Sequence, residues 1–138
     1  MRDENCIFCK IANGEIPSKT IYEDEDYRVI LDLGPATRGH ALILPKQHYQ
    51  NLFELPEEKA SGVFVLAKKL ATQMKENLEA DGFNIVQNNG IEAGQTVFHF
   101  HMHLIPRYKN DGQNINWKPL EKSTEELEEI RKQIVKED

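Results

Sequence analysis

Three histidines at two-residue spacing are the residues in this chain most suited to chemistry. His99, His101 and His103 alternate with apolar residues from Phe98 to Leu104. Because successive side chains of a β-strand point to opposite faces, the spacing predicts three imidazoles on one face, about 6.5 to 7 Å apart. The alternative is an ordinary polar strand face, but such faces favour other residues. The pattern therefore favours a functional site, with the apolar residues between the histidines facing the core.

Two cysteines form a second group with chemical potential. Cys6 and Cys9 are the only cysteines, and their C-x-x-C spacing suits metal binding or redox chemistry better than a structural disulfide in a reducing compartment. No second pair follows at zinc-finger spacing. A thiol redox role requires a helix N-terminus at the pair, and the local sequence indicates none. Metal binding, a redox pair and an unused pair all remain open on the spacing alone.

The overall composition limits the possible partners. The chain has 138 residues, the size of one domain, and a formal net charge of -6. That charge disfavours binding to a long nucleic acid, whereas a mononucleotide can be held by backbone amides, one arginine and neutral donors. The charged N-terminus does not resemble a secretory signal, and no run is apolar enough to span a membrane. We therefore expect a cytoplasmic protein with no membrane or nucleic-acid partner.

The elements that must position these residues are mostly strands. Residues rich in β-branched and aromatic side chains predict five strands, over 20–23, 27–33, 41–45, 83–87 and 97–105. The acidic turn at 24–26 predicts that the first two form a hairpin. Because the strands follow one another without regular βαβ alternation, the order favours an α+β fold in which an antiparallel sheet carries helices on one face.

Two helices are predicted from periodicity and caps. A long helix should begin at Pro56, with Glu57 and Glu58 in its first turn, and Gly82 should stop it. Its expected buried stripe is Ala60, Val63, Phe64, Ala67, Leu70, Ala71, Met74 and Leu78. Ser123 and Glu126 form a capping-box pattern, and a narrow apolar face follows at Leu127, Ile130 and Ile134. The sequence thus predicts a C-terminal helix after a loop.

The histidine segment resembles a known family motif. His99-Phe100-His101-Met102-His103-Leu104-Ile105 is similar to the histidine triad (HIT) motif, His-φ-His-φ-His-φ-φ with φ apolar, and residues 39–48 and 93–98 resemble two further family segments. The similarity covers roughly residues 6–107. The resemblance implies the HIT fold, a five-stranded antiparallel sheet with two helices, and a homodimer whose sheets join edge to edge. We place the HIT domain at 1–110 and expect the loop and helix at 111–138 to pack on that domain.

The resemblance also implies roles for single residues. His101 would be the nucleophile, His103 would contact the phosphate and assist the leaving group, and His40 would lie beside the triad. The remaining nucleotide contacts implied by the resemblance are Asp32 for the ribose hydroxyls and Asn88, Gln95 and Thr96 for the α-phosphate. Asn88 could instead be an ordinary turn residue, Asp32 a charged strand end, and His40 a surface histidine.

By similarity to zinc-containing and Hint-like members, Cys6, Cys9, His48 and His99 would assemble one metal site. Two thiolates and two imidazoles form a complete tetrahedral set for Zn²⁺ with no open position, which is typical of a structural metal. His99 would then serve the metal and support His101 indirectly.

The implied function is that of a nucleotide hydrolase acting at the α-phosphorus of purine nucleoside phosphoramidates or related conjugates. Pro106 and Arg107 are similar to the Fhit-like branch and favour longer phosphate chains, so dinucleoside polyphosphate hydrolysis is an alternative. A nucleotide-binding interaction module with incidental turnover is another. Trp117 could be a core residue or an interface anchor.

Overall fold

A five-stranded antiparallel sheet forms the centre of the computed structural model, which describes residues 1–137. Its strands are β1 (Thr20–Glu23), β2 (Tyr27–Leu31), β3 (Ala41–Pro45), β4 (Gly82–Val86) and β5 (Met102–Arg107), in the order β1-β2-β3-β5-β4. The predicted hairpin is confirmed. Asp24 closes its turn, because one carboxylate oxygen accepts the N–H groups of Asp26 and Tyr27 at 2.8 Å. The α+β fold class is therefore as predicted.

The central strand β3 divides the core into two layers. Ala41 and Ile43 pack with the large cluster on one face of the sheet, whereas Leu42 and Leu44 pack with a smaller cluster on the other. All five residues of β3 are buried. This continuous apolar run is what a strand covered on both faces requires.

Helix α2 (Glu57–Asn77) covers the face that carries the large cluster. It begins at Glu57, one residue after the predicted start, and Pro56 is its N-cap. Leu66 contributes to its buried stripe, whereas Phe64, which we expected in that stripe, is 59% exposed. The helix also ends before the predicted stop, since Gly82 is the first residue of β4.

A short helix on the opposite face was not predicted. Helix α1 (Ile7–Ala12) packs on β2 and β3, and its Phe8, Ile11 and Ala12 belong to the smaller cluster. Helices therefore cover both faces of the sheet, and the expectation of helices on one face was wrong. Six residues are too few for helical periodicity to be recognised in the sequence, so tertiary packing decides this element.

The histidine segment is only partly a strand. Strand β5 begins at Met102, so His99 and His101 precede it, and the predicted strand over 97–105 started too early. Phe100, Met102 and Leu104 nevertheless lie in the core, as the alternation predicted. Phe98 does not, because it is 38% exposed. Two single turns of 3₁₀ helix lie in the connections: Leu52–Glu54 between β3 and α2, and Ile91–Ala93 between β4 and β5.

The C-terminal segment has its predicted helix, and that helix is exposed. Helix α3 (Thr124–Val135) begins with the predicted capping box between Ser123 and Glu126, yet no residue of α3 is buried. Trp117 is 85% exposed, so it is not a core residue of its own chain. Asp111 and Gln113, at the start of this segment, form hydrogen bonds with Arg107 and Ala36 of the domain. The division at residue 110 and the packing of the whole segment on the domain remain predictions. Across residues 1–137, no helix combines the length and the apolar character that a bilayer span needs.

Candidate functional site

A cavity of about 590 Å³ opens on the sheet face covered by α1. His101 and His103 line it together with Asp32 and Thr96. The remaining walls are mainly apolar, with side chains from α1, β2 and β3, namely Ile7, Phe8, Ile11, Ile30 and Leu42. A largely apolar cavity with a few convergent polar groups is the usual form of a small-molecule site.

His101 is held in one tautomer by the main chain. Its Nδ1 lies 2.7 Å from the carbonyl oxygen of His99, and a carbonyl can only accept, so Nδ1 carries the hydrogen. The lone pair of the neutral ring is therefore on Nε2, and His101 lines the cavity. Burial lowers the pKa of His101, which favours this neutral form. The side chain has the protonation that a nucleophile needs.

His40 and His103 form a pair on the other side of His101. His40 Nε2 lies 2.9 Å from His103 Nδ1, and the main-chain N–H of Ala36 donates to His40 Nδ1 at 2.9 Å. Burial lowers the pKa of His103 to about 4, with smaller contributions from the neighbouring His101 and His40. Burial also lowers the pKa of His40, although Asp32 opposes the change. Both rings are therefore neutral at neutral pH, and His40 lies beside the triad rather than on the surface.

Asp32 lies at the edge of this pair and of the cavity. One carboxylate oxygen accepts the N–H of Gly34 at 2.8 Å, and the other is 3.6 Å from His40 Nε2. The side chain is 24% exposed and lines the cavity.

The predicted metal ligands lie together on the opposite side of His101. Ligand atoms of Cys6, Cys9, His48 and His99 all lie within 4.8 Å of one another. Nδ1 of His99 is 3.4 Å from both sulfur atoms, and Nδ1 of His48 is 3.3 Å from the Cys9 sulfur. Residues distant in sequence are thus brought to one point by α1, the end of β3 and the segment before β5.

The geometry of this cluster fits a tetrahedral zinc ion. Bonds of about 2.3 Å to sulfur and about 2.0 to 2.1 Å to nitrogen place S and N atoms roughly 3.5 Å apart. His99 Nε2 donates to the carbonyl oxygen of Pro45 at 2.8 Å, which leaves Nδ1 with the lone pair that faces the sulfurs. The same test does not favour a metal between His40 and His103, because their 2.9 Å separation is that of a hydrogen bond.

A helix start does lie at the cysteine pair, contrary to our expectation from the sequence. Cys6 is the N-cap of α1, and its sulfur accepts the N–H of Cys9 at 3.3 Å. Burial nevertheless raises the pKa of Cys9, whereas a redox-active thiol has a lowered pKa. Each sulfur also has a histidine nitrogen as its neighbour. The surroundings therefore favour metal binding over thiol redox chemistry.

The three predicted phosphate contacts differ in position. Thr96 lines the cavity, whereas Gln95 is 3% exposed and uses its side chain to hold the surrounding loop. Its Oε1 accepts the N–H of Gly90 at 2.8 Å, and its Nε2 donates to the carbonyl oxygens of Gln50 and Val97 at 2.8 and 3.1 Å. Asn88 is half-buried beside Gly94. Direct contacts of Gln95 and Asn88 with a phosphate remain predictions.

Arg107 is occupied by protein groups. Its guanidinium donates to both carboxylate oxygens of Asp111, at 2.9 and 3.0 Å, and to Asn84 at 2.8 Å and the carbonyl oxygen of Gln113 at 2.7 Å. The expectation that Arg107 is available to a longer phosphate chain is therefore not supported.

Sequence reasoning missed one cavity residue that contacts the nucleophile candidate. The ring of Phe8 packs edge-on against His101, with centroids 5.0 Å apart and planes at 85°. Phe8 lies between the two cysteines, so metal binding by that pair would also place this aromatic ring. The only sequence signal was the apolar pair inside the C-x-x-C motif.

The fold and the site together define a class of α+β proteins. In this class, a histidine held in one tautomer lines a small-molecule cavity, with a histidine pair on one side of it and a Cys₂His₂ cluster on the other. The chain belongs to the HIT family, since the HIT domain model matches residues 13–110. The family resemblance found in the sequence is thereby confirmed.

Two curated relatives cover nearly the whole chain. "Protein hit" of Bacillus subtilis is 45% identical over 136 residues, which is 96% of this chain and 94% of the relative. Adenosine 5'-monophosphoramidase HNT1 of Saccharomyces cerevisiae is 40% identical over 134 residues, 96% of this chain and 82% of the relative.

Solved structures agree with this assignment. A HIT family member from Bacillus subtilis has a TM-score of 0.90 at 44% identity, with 96% of both chains covered. A Zn-bound histidine triad family protein from Mycobacterium smegmatis has a TM-score of 0.76 at 42% identity, covering 83% of this chain and 84% of the other.

Proposed function

We propose that this protein is a nucleotide hydrolase that cleaves at the α-phosphorus of purine nucleoside phosphoramidates or related nucleotidyl conjugates. The observation that carries this proposal is the 2.7 Å hydrogen bond between His101 Nδ1 and the carbonyl oxygen of His99. It leaves Nε2 unprotonated in a neutral ring, so no strong general base is needed to activate the nucleophile.

The reaction would proceed in two displacements. Nε2 of His101 attacks the α-phosphorus and forms a P–N bond while the bond to the leaving group breaks. A water molecule then attacks phosphorus, returns the electron pair to Nε2 and releases the nucleoside monophosphate. The hydrogen bond to the His99 carbonyl stabilises the positive charge that develops on the ring in the first step.

Neighbouring groups have matching tasks. With Nδ1 of His103 facing His40, Nε2–H of His103 is free to donate to a phosphoryl oxygen or to the leaving group. The hydroxyl of Thr96 would contribute a second donor. The partly exposed carboxylate of Asp32 suits a ribose hydroxyl, and the apolar walls that include Phe8 suit a purine ring.

Two observations favour phosphoramidates over dinucleoside polyphosphates. The yeast relative is named an adenosine 5'-monophosphoramidase. Arg107, the residue that suggested longer phosphate chains, already forms a bidentate ion pair with Asp111. A polyphosphate would have to compete with that pair, and a fixed guanidinium has few donors left.

We also propose that Cys6, Cys9, His48 and His99 bind one structural Zn²⁺. Zinc in this set would supply folding energy by joining α1 to the segment before β5. The side chain of His99 would then hold the metal while its main-chain carbonyl orients His101. This arrangement would link metal binding to the position of the nucleophile without any contact between metal and substrate.

A homodimer is proposed from the free edge of the sheet. Strand β4 is an edge strand, Ile85 on it is 41% exposed, and Phe64 and Val65 on α2 are 59% and 69% exposed. Pairing of β4 with β4 of a second copy would join two sheets and cover an edge that otherwise invites aggregation. Light scattering tests this: we expect twice the chain mass, and a stable monomer with full activity would contradict it.

Trapping the nucleotidyl–His101 intermediate tests the proposed function. Rapid acid quenching of the protein with excess adenosine phosphoramidate should yield a chain heavier by one adenylyl group, and peptide mapping should locate it on His101. Hydrolysis of a chiral phosphorothioate conjugate should proceed with net retention at phosphorus. Inversion, or turnover by the His101→Ala protein at near wild-type rates, would refute the assignment.

A further inference from the structure

The loop that carries His40 is joined to the chain that follows β5. This loop connects β2 to β3 and spans residues 32–40. Three side-chain to main-chain hydrogen bonds link the two segments: Thr37 Oγ1 to the Pro106 carbonyl at 2.6 Å, Tyr108 OH to the Arg38 carbonyl at 2.7 Å, and Gln113 Nε2 to the Ala36 carbonyl at 2.9 Å. Residues about 70 positions apart in sequence are therefore held together at this point.

The turn after β5, which supplies the Tyr108 and Gln113 donors, is itself fixed by an ion pair. We call Arg107 and Asp111, which meet in two parallel hydrogen bonds, the 107–111 buckle. Asp111 also accepts the main-chain N–H groups of Tyr108 and Gln113, both at 3.0 Å. The Arg107 guanidinium holds the pKa of Asp111 well below its usual range, so the carboxylate stays ionised. Arg107 finally donates to the Gln113 carbonyl, which places the Gln113 side chain.

Ala36 connects this turn to the histidine pair. Its carbonyl accepts from Gln113, and its N–H donates to His40 Nδ1. Because a main-chain N–H can only donate, the neutral ring of His40 must carry its hydrogen on Nε2. That hydrogen is donated to His103 Nδ1 at 2.9 Å. The neutral ring of His103 must then carry its own hydrogen on Nε2, the nitrogen left to the cavity.

We infer that Gln113 and the 107–111 buckle are positioning residues for nucleotidyl transfer. They hold Ala36 where its N–H selects the His40 tautomer, and His40 in turn makes His103 a hydrogen-bond donor toward the substrate. The inference rests on the proposed function for the role of that donor, but the tautomers themselves are a property of the resting protein. It also gives Arg107 a task that does not involve polyphosphate.

The test compares Gln113→Glu with wild-type protein, both metal-loaded. This isosteric change replaces the NH₂ donor with a carboxylate that faces the Ala36 carbonyl. We expect kcat for adenosine phosphoramidate to fall about tenfold, in the range seen for residues that orient functional groups, while KM changes less than about twofold. Gln73→Glu, the same change on the exposed surface of α2, is the matched control and should leave kcat unchanged.

¹⁵N NMR of the histidine rings measures their tautomers directly, and a purely structural role of Gln113 would leave those tautomers unchanged. In protein with ¹⁵N-labelled histidine rings at pH 8, wild-type His40 and His103 should both show protonated Nε2, with assignments from His40→Gln and His103→Gln proteins. Gln113→Glu should shift His103 toward the tautomer with protonated Nδ1. Gln113→Lys restores a donor and should recover both the wild-type tautomer and kcat to within about threefold.

The outcomes separate this inference from the proposed function. A His103 ring protonated at Nδ1 in wild-type protein, or an unchanged tautomer and kcat in Gln113→Glu, would overturn the inference. If wild-type protein shows the expected tautomers but turns over no phosphoramidate, the proposed function fails and the positioning role stands. If Gln113→Glu does not fold, Gln113→Met removes the same donor to the Ala36 carbonyl without adding a charge, and an unchanged His103 tautomer in that variant overturns the inference equally.

Discussion

The two flanks of His101 use the same residue type in opposite ways. On the metal side, His99 donates from Nε2 to the Pro45 carbonyl and presents the lone pair of Nδ1 to two sulfurs. On the other side, His103 accepts at Nδ1 and presents an N–H to the cavity. His101 between them donates from Nδ1 and presents a lone pair at Nε2.

In each histidine, the hydrogen-bond partner of one ring nitrogen determines whether the other nitrogen carries a hydrogen or a lone pair. Carbonyl partners turn His99 and His101 into electron-pair donors, whereas the N–H of His40 turns His103 into a hydrogen-bond donor. All three rings are neutral for the same reason, since burial lowers the pKa of each.

The largest effect is expected when the lone pair at the centre is removed. His101→Ala should lower kcat by several orders of magnitude, because it removes the attacking nitrogen itself. Zinc content and the affinity for a non-hydrolysable nucleotide should change little, since neither flank is altered. His103→Gln, which retains a donor amide, is the comparison variant. It should lose on the order of 100-fold, the usual cost of weakening one donor to the phosphoryl group.

Loss of a metal ligand should show first as a loss of stability rather than as a direct loss of catalytic chemistry. Cys9→Ser should lower the zinc content measured by elemental analysis from one per chain toward zero, and the melting temperature should fall because metal binding contributes to folding. The control is Ser61→Ala on the exposed surface of α2. Wild-type protein that is isolated without metal, with both thiols titratable and a melting temperature insensitive to chelation, would contradict a zinc site.

The smallest effect is a shift in the acid limb of the pH profile. His103 accepts the His40 N–H at Nδ1 only while its ring is neutral, and burial lowers its pKa to about 4. Its active form thus persists as pH falls and is lost only near that value. The midpoint of the acid limb in the pH profile of kcat should therefore lie below about pH 6.5, the pKa of an unperturbed histidine. A midpoint at or above that value would show that burial does not suppress the protonation of at least one of His101 and His103.

Much of the fold followed from local patterns because the forces involved are local. The acidic turn predicted the β1–β2 hairpin, and Ser123 and Glu126 predicted the start of α3. The alternation of histidines with apolar residues predicted that Phe100, Met102 and Leu104 face the core. The locations of the four metal ligands came instead from the family resemblance, since no spacing in the sequence relates Cys6 to His48.

Tertiary structure alone decided which nitrogen of each histidine is available. The sequence by itself determined that His99, His101 and His103 share a segment and alternate with core residues. It did not determine that the Pro45 carbonyl would accept from His99 or that the Ala36 N–H would donate to His40. It also did not determine that Arg107 would form an ion pair with Asp111. It also left α1 unrecognised, because six residues form a helix only when packed on β2 and β3. The physical reason is the same in each case. A hydrogen bond or a buried contact between residues distant in sequence is stabilised by the folded arrangement of both partners, and no periodicity along the chain encodes it.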